Sequence, residues 1–177
     1  MKKLLYQDIL QKRKKIDEIK NSPRHPINLI LHNIRSAYNV GSIFRTADSA
    51  FVEKIILCGF TPHPPDKEIA KTSLGATETV PWIYEKDIVT AIKNEKKDGR
   101  KIIAVELTDC SRPYYSIEKS EFPLSLILGN EISGIDDYVL EHCDDAIDIP
   151  MFGIKHSLNV SVATGIVVYE ALKIWLK

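Results

Sequence analysis

Several absences narrow the field before any motif is read. Only three cysteines occur, Cys58, Cys110 and Cys143, with no Cys-x-x-Cys pair among them. That excludes a zinc ribbon and a dithiol redox centre, and it makes a reducing compartment, the cytoplasm, the expected setting. No run of about 18 apolar residues exists, so no segment is expected to cross a membrane. The basic start Met1-Lys2-Lys3 is followed by too short an apolar stretch for a signal peptide. Neither Gly-x-Gly-x-x-Gly nor the Gly-x-x-x-x-Gly-Lys-Ser/Thr loop is present, which removes the usual dinucleotide and nucleotide-hydrolysis fingerprints. No Gly-x-Ser-x-Gly elbow and no metal-ligand spacing occurs, so no metal is expected.

Net charge is absent too, with 24 basic and 24 acidic residues. The distribution is less even. Residues 1–35 carry nine Lys or Arg against Asp8, Asp17 and Glu18, a local charge of +6 that leaves −6 for the remainder. A basic arm of this kind, with Lys12, Arg13, Lys14 and Lys15 in one run, suits a polyanion because phosphate affinity comes from clustered cations. A solvated helix face explains the same pattern.

What is present reads as one α/β domain. With 177 residues, 44% of them hydrophobic, the chain is long enough for a single ordinary core. Residues 3–20 show apolar spacing close to a helix, and Asn21 to Pro26 break it. Residues 1–26 are therefore expected to form a basic helical arm, and 27–177 the main domain. Short apolar runs at 27–31, 54–57, 79–84, 101–107, Leu124–Leu128 and 146–149 predict strands, with 61–65 and 108–113 as loops. Between them, 39–50, 87–97, 136–142 and 159–176 predict helices. Alternation of this kind implies a largely parallel sheet flanked by helices, with ligands at the carboxyl ends of its strands.

Three stretches have the chemistry for a site. Asn39 sits where a loop enters a helix, the place of an N-cap, and Arg35 and Arg45 flank that entry, suited to bidentate phosphate contact. Gly129-Asn130-Glu131 follows an apolar strand, where a glycine permits close approach by a ligand; a plain turn accounts for it as well. The apolar loop from Ile149 leads to Ser157-Leu158-Asn159, which opens the last helix with two capping side chains and free backbone N–H groups. Apolar walls beside free amides and carbonyls suit an adenine. Lys155 and His156 stand within reach of a phosphate. The stretch 72–76 combines a hydroxyl pair with a glycine, as a connector or a substrate contact.

Together, Asn39-Val40-Gly41-Ser42-Ile43-Phe44-Arg45-Thr46, Leu128-Gly129-Asn130-Glu131-Ile132-Ser133-Gly134 and Ile149-Pro150-Met151-Phe152-Gly153-Ile154-Lys155-His156-Ser157-Leu158-Asn159-Val160-Ser161 resemble the three motifs of the SpoU family. These are RNA ribose 2′-O-methyltransferases of the SPOUT superfamily. The resemblance implies an α/β fold whose C-terminal segment is threaded into a deep trefoil knot, and a homodimer with each site completed near the subunit interface. It implies S-adenosyl-L-methionine as methyl donor. It makes Arg45 the catalytic residue, supported by Asn39, Glu131, Ser157 and Asn159. Leu128, Gly129, Ile149, Ser157 and Leu158 would hold the donor, with Met151 nearby. RNA contacts fall to Arg35, Lys155, Lys12, Arg13, Lys14 and Lys15. Many relatives carry an extra RNA-binding domain; about 26 residues before the first strand make this the expected minimal form, with transfer RNA ahead of ribosomal RNA as target.

Two roles stay open for Arg45: general base, or orientation of the ribose with stabilisation of the developing alkoxide. A guanidinium normally keeps its proton. Competing readings are a donor- or RNA-binding module without activity and a relative that methylates a base.

Overall fold

The structure is a computed structural model, and it describes residues 1–5, 7–8, 18–19 and 22–177. The run Lys12 to Lys15 and most of the helix expected over 3–20 lie outside the described residues. From residue 25 onward the chain folds as one sheet with helices on both faces. Its elements are β1 (His25–His32), α1 (Ala37–Ser49), β2 (Val52–Cys58), α2 (Lys67–Ser73), α3 (Ala76–Thr79), β3 (Trp82–Glu85), α4 (Ile88–Lys97), β4 (Lys101–Val105), β5 (Arg112–Pro113), β6 (Leu124–Leu128), α5 (Asp137–Leu140), β7 (Asp145–Asp148) and α6 (Val160–Trp175), with two 3₁₀ turns between β5 and β6.

The sheet order is β3-β2-β1-β6-β4-β7-β5, and every pairing is parallel. Parallel strands covered on both faces read as continuous apolar runs. The buried Leu-Ile-Leu run of β1 and the fully buried β6 show that pattern. One core packs α1 and α6 against the sheet through Val40, Ile43, Phe44, Ala47, Val167, Val168 and Ala171. The other face packs α4 and α5 through Ile88, Ala91, Ile92 and Val139. There the buried Glu95 carboxylate accepts from Ser125 Oγ at 2.7 Å, Lys54 Nζ at 2.9 Å and Asn28 Nδ2. Three partners therefore tie α4 to three strands at one point.

Several expectations shift at their edges. The strand expected over 79–84 is shorter, because Thr79 closes α3 and pairing begins at Trp82. α2 was not expected at all. Asp66 caps it by accepting from the N–H groups of Glu68 and Ile69. The stretch 72–76 is accordingly the end of one helix and the start of another, joined through Leu74 in the left-handed region at φ 50°. Within the loop expected over 108–113, Arg112–Pro113 adds a short edge strand.

The order of strands fixes where a site can be. The chain runs outward from β1 to β3, then returns past β1 to lay down the strands of the other half. The rim where β1 meets β6 is thus a topological switch point, the usual crevice for a ligand in such sheets.

Candidate active site at the carboxyl rim of the sheet

Glu131 joins the two halves of this rim. It lies just beyond β6, and β1 pairs with β6 along its length, so the loop after β1 faces it. Glu131 Oε2 accepts from the Arg35 N–H at 2.8 Å, and Oε1 accepts from the Ser36 N–H at 3.1 Å and from Asn39 Nδ2 at 2.8 Å. Partial burial works against its charge, but these donors outweigh that and hold the Glu131 carboxyl below the usual carboxylate range. At neutral pH it is an anion fully occupied in holding the start of α1.

Asn39 is not the cap of α1. Ser36 is, its side chain accepting from the Asn39 N–H at 3.3 Å. That leaves the Asn39 side chain free to bridge. Its Nδ2 donates to Glu131, and its Oδ1 accepts from Asn159 Nδ2 at 3.1 Å. Asn159 is the cap of α6, with Oδ1 accepting from the Ser161 N–H at 2.9 Å. Ser157 does not cap; only Asn159 does. Asn130 completes the frame, donating to the Asn33 carbonyl at 2.8 Å and accepting from the Ile132 N–H at 2.8 Å.

Beside this relay lies a cavity of about 690 Å³ at the ends of β4, β6 and β7. Leu128, Gly129, Glu131, Ile149, Met151, Lys155, Ser157 and Leu158 all line it, so every residue expected to hold the donor faces one space. Gly129 is required by close packing: a Cβ there would lie 2.6 Å from the Gly134 carbonyl and from Ile135 Cγ1. Glu106, which the sequence reading missed, also lines the cavity. Its carboxylate accepts from the Leu107 and Ile135 N–H groups at 3.0 Å each. A single acidic residue at a strand's end carries no sequence signal of its own.

The backbone from residue 151 to 158 makes no hydrogen bond with any described residue. Phe152 and Ile154 in this loop are 98% and 102% exposed. A row of unpaired amides and carbonyls between apolar side chains, along the wall of the cavity, offers the donors and acceptors that a base edge needs.

Arg45 is elsewhere. It lines a second depression, of about 490 Å³, with Ser42, Thr46, Ser49, Lys71, Thr72 and Tyr169. Within one chain it does not face the cavity bounded by Gly129 and Leu158. Arg35 is exposed beside Glu131 and reaches it only through its backbone N–H. Among the described residues no group of three or more His, Cys, Asp or Glu is arranged to hold a metal, and no helix is long and apolar enough to cross a membrane.

The fold and its rim define the class: a parallel α/β domain with a cavity of about 690 Å³ where three sequence-distant loops meet. The chain belongs to the SpoU rRNA Methylase family, whose family model matches residues 26–169. It is 32% identical over 164 residues to the 23S rRNA (guanosine-2′-O-)-methyltransferase RlmB of Haemophilus influenzae, covering 89% of this chain and 64% of that protein. The RlmB of Neisseria meningitidis is 34% identical over 162 residues, with 87% and 61% covered. The chain therefore spans somewhat less than two thirds of the length of these curated relatives. Among solved structures, the AdoMet-bound rRNA methyltransferase from Sinorhizobium meliloti superposes with a TM-score of 0.80 at 28% identity, covering 88% of this chain and 59% of that one. The A. aeolicus TrmH/SpoU tRNA modifying enzyme gives 0.78 at 29% identity, with 94% and 84% covered.

Proposed function

We propose that this protein is an S-adenosyl-L-methionine-dependent methyltransferase that methylates a ribose 2′-hydroxyl of RNA. The observation that carries it is the Glu131–Asn39–Asn159 relay set against the cavity that Gly129, Ile149 and Leu158 line. The cavity volume, the apolar walls and the unpaired backbone of 151–158 fit an adenosine, and the S. meliloti relative is described as AdoMet-bound. When bound, the donor would supply an electrophilic methyl on a sulfonium, the C–S electron pair staying on sulfur as S-adenosylhomocysteine leaves and the 2′-hydroxyl proton passing to water.

Everything else falls to the chain's own side chains. Glu131, pinned by three donors, fixes the first turn of α1. Asn39 transmits that position to the cap of α6, so the donor loop and α1 are set relative to each other before substrate arrives. Arg45 orients the ribose and its adjacent phosphate and stabilises oxygen as its charge develops, a role that leaves the guanidinium protonated.

The separation of Arg45 from the cavity within one chain supports a homodimer in which each Arg45 serves the other subunit's cavity. Exposed Phe152, Ile154 and Val162 supply apolar surface for such an interface. We also read the segment leading into α6 as part of a deep trefoil knot. Support comes from the interlacing of distant loops, Asn130 with Asn33 and Asn159 with Asn39. Residues 1–26 are read as a basic arm that adds phosphate contacts through Lys12, Arg13, Lys14 and Lys15, alongside Arg35 and Lys155. The curated relatives named above act by name on 23S rRNA and the A. aeolicus structure is a tRNA modifying enzyme. Ribosomal RNA thus has the wider support, against the initial expectation of transfer RNA; a cytoplasmic setting suits either.

The test is methyl transfer to RNA from cells lacking the protein, read by mass spectrometry of the digested nucleosides. A 2′-O-methylated nucleoside should appear with the wild type, and Arg45→Ala should lower its formation by about 100-fold or more. Loss of no more than twofold in that variant, or a base-methylated product, overturns the proposal.

A further inference from the structure

The depression around Arg45 holds more positive charge than one catalytic arginine explains. α2 is only seven residues long, yet it is placed with care against α1. A Cβ on Gly41 would collide with Thr72 Oγ1 and the Ile69 carbonyl, so the glycine is what lets the two helices touch. Thr72 Oγ1 then donates to the Tyr38 carbonyl at 3.0 Å, bridging from α2 to α1. The result is that Lys71, exposed, lines the same pocket as Arg45 on α1 and Tyr169 on α6.

Among the described residues none of these three side chains has an anionic partner. No ion pair there involves Lys71 or Arg45, and the ammonium of Lys71 lies over the Tyr38 ring at 6.0 Å. Asp48, the carboxylate on Arg45's own helix, is taken by the hydroxyl of Thr79. Glu170, beside Tyr169, is taken by Lys173 at 2.9 Å. The hydroxyls of Ser42, Ser49 and Thr72 already donate to backbone carbonyls. What the pocket offers outward is therefore a guanidinium, an ammonium, a phenol and the Thr46 hydroxyl, each able to donate, with no carboxylate among the described residues lining it.

We propose that Lys71 and Tyr169 form, with Arg45, a clamp for one backbone phosphodiester of the RNA next to the nucleotide being methylated. The proposal rests on the RNA-methylation reading and assigns Lys71 and Tyr169 a binding role that no motif of that reading contains. A guanidinium fork and a point-charge ammonium on either side of one phosphate give both geometry and charge, and neither reads the base. Lys71 fixes the strand without touching the reacting atoms, and Arg45 keeps its face toward the ribose.

The test uses the full-length protein and fluorescein-labelled poly(U), with affinity followed by anisotropy across a salt series. Wild-type affinity should fall with salt, and Lys71→Gln should bind about fivefold more weakly at low salt with a log–log slope shallower by about 0.7, the loss of one phosphate contact on a single strand. Lys71→Arg should keep the wild-type slope, and Tyr169→Phe should weaken binding about threefold with the slope unchanged. Calorimetric binding of S-adenosylhomocysteine should be the same in all four proteins. An unchanged slope in Lys71→Gln overturns the clamp, as does a Lys71-dependent affinity for inorganic phosphate without one for poly(U). If the slope depends on Lys71 but the wild type transfers no methyl to RNA, the clamp stands and the activity reading falls.

Discussion

Asn39 Oδ1 accepts a hydrogen bond from Asn159 Nδ2 at 3.1 Å, across 120 positions of sequence. One amide thereby couples the helix that carries Arg45 to the helix that follows the 151–158 loop. Its other end is held by Glu131, so no part of the relay is free to rotate independently.

Asn39→Ala removes the bridge and leaves a charged acceptor short of one donor. Unfolding in urea should show a loss of about 1–2 kcal/mol. Methyl transfer should fall by about 10- to 100-fold, beyond any change in S-adenosylhomocysteine affinity, because orientation rather than donor binding is lost. Equal losses in affinity and turnover would place Asn39 in the donor site instead.

Glu131 predicts a pH dependence. Its folded-state pKa lies below the ordinary carboxylate value, so its contribution is present in full above that ordinary value. It is lost as the pH falls through the depressed one. Urea midpoints of wild type and Glu131→Gln should differ at neutral pH and converge under acid conditions, below about pH 4. A gap that persists or widens in acid would contradict the hydrogen-bond geometry.

Gly129→Ala places a methyl where the Gly134 and Ile135 atoms already stand. The motif must shift, with an expected cost of about 1–3 kcal/mol and loss of measurable S-adenosylhomocysteine binding. Near-normal calorimetric titration with this variant would separate Gly129 from the donor site.

Cross-subunit assembly is tested by mixing. Arg45→Ala and Leu158→Asp should each be inactive alone, since one lacks the acceptor-side cation and the other places a charge in the donor cavity. Co-refolded, half the dimers should be mixed, each with one intact site, restoring about a quarter of wild-type activity. No recovery despite dimers in solution would put Arg45 and the cavity in the same chain.

Much of this was legible in the sequence. Continuous apolar runs at 27–31 and 124–128 gave buried parallel strands, and residues 87–97 gave a helix, which in the structure begins at Ile88 with Asp87 as its cap. Asn39, Glu131 and Asn159 were singled out by position in their motifs. α2 was not legible because seven residues make too few turns to show a period. It is held by contact with Gly41 instead. Asn39 was misread as a cap because two polar residues, Ser36 and Asn39, compete for that place, and only the backbone angles of Ser36 decide it.

By itself, the sequence determined which residue types were available and where the longer strands and helices lie, since those follow from local period and capping chemistry. Only the tertiary structure decided that β6 lies against β1, which brings Glu131 to Asn39 from 92 positions away. It likewise decided that Lys71 and Tyr169 share a pocket with Arg45 while the cavity lined by Gly129 and Leu158 lies apart. Strand order and helix contact are set by burial of two separate cores, a property of the whole chain that no local window contains.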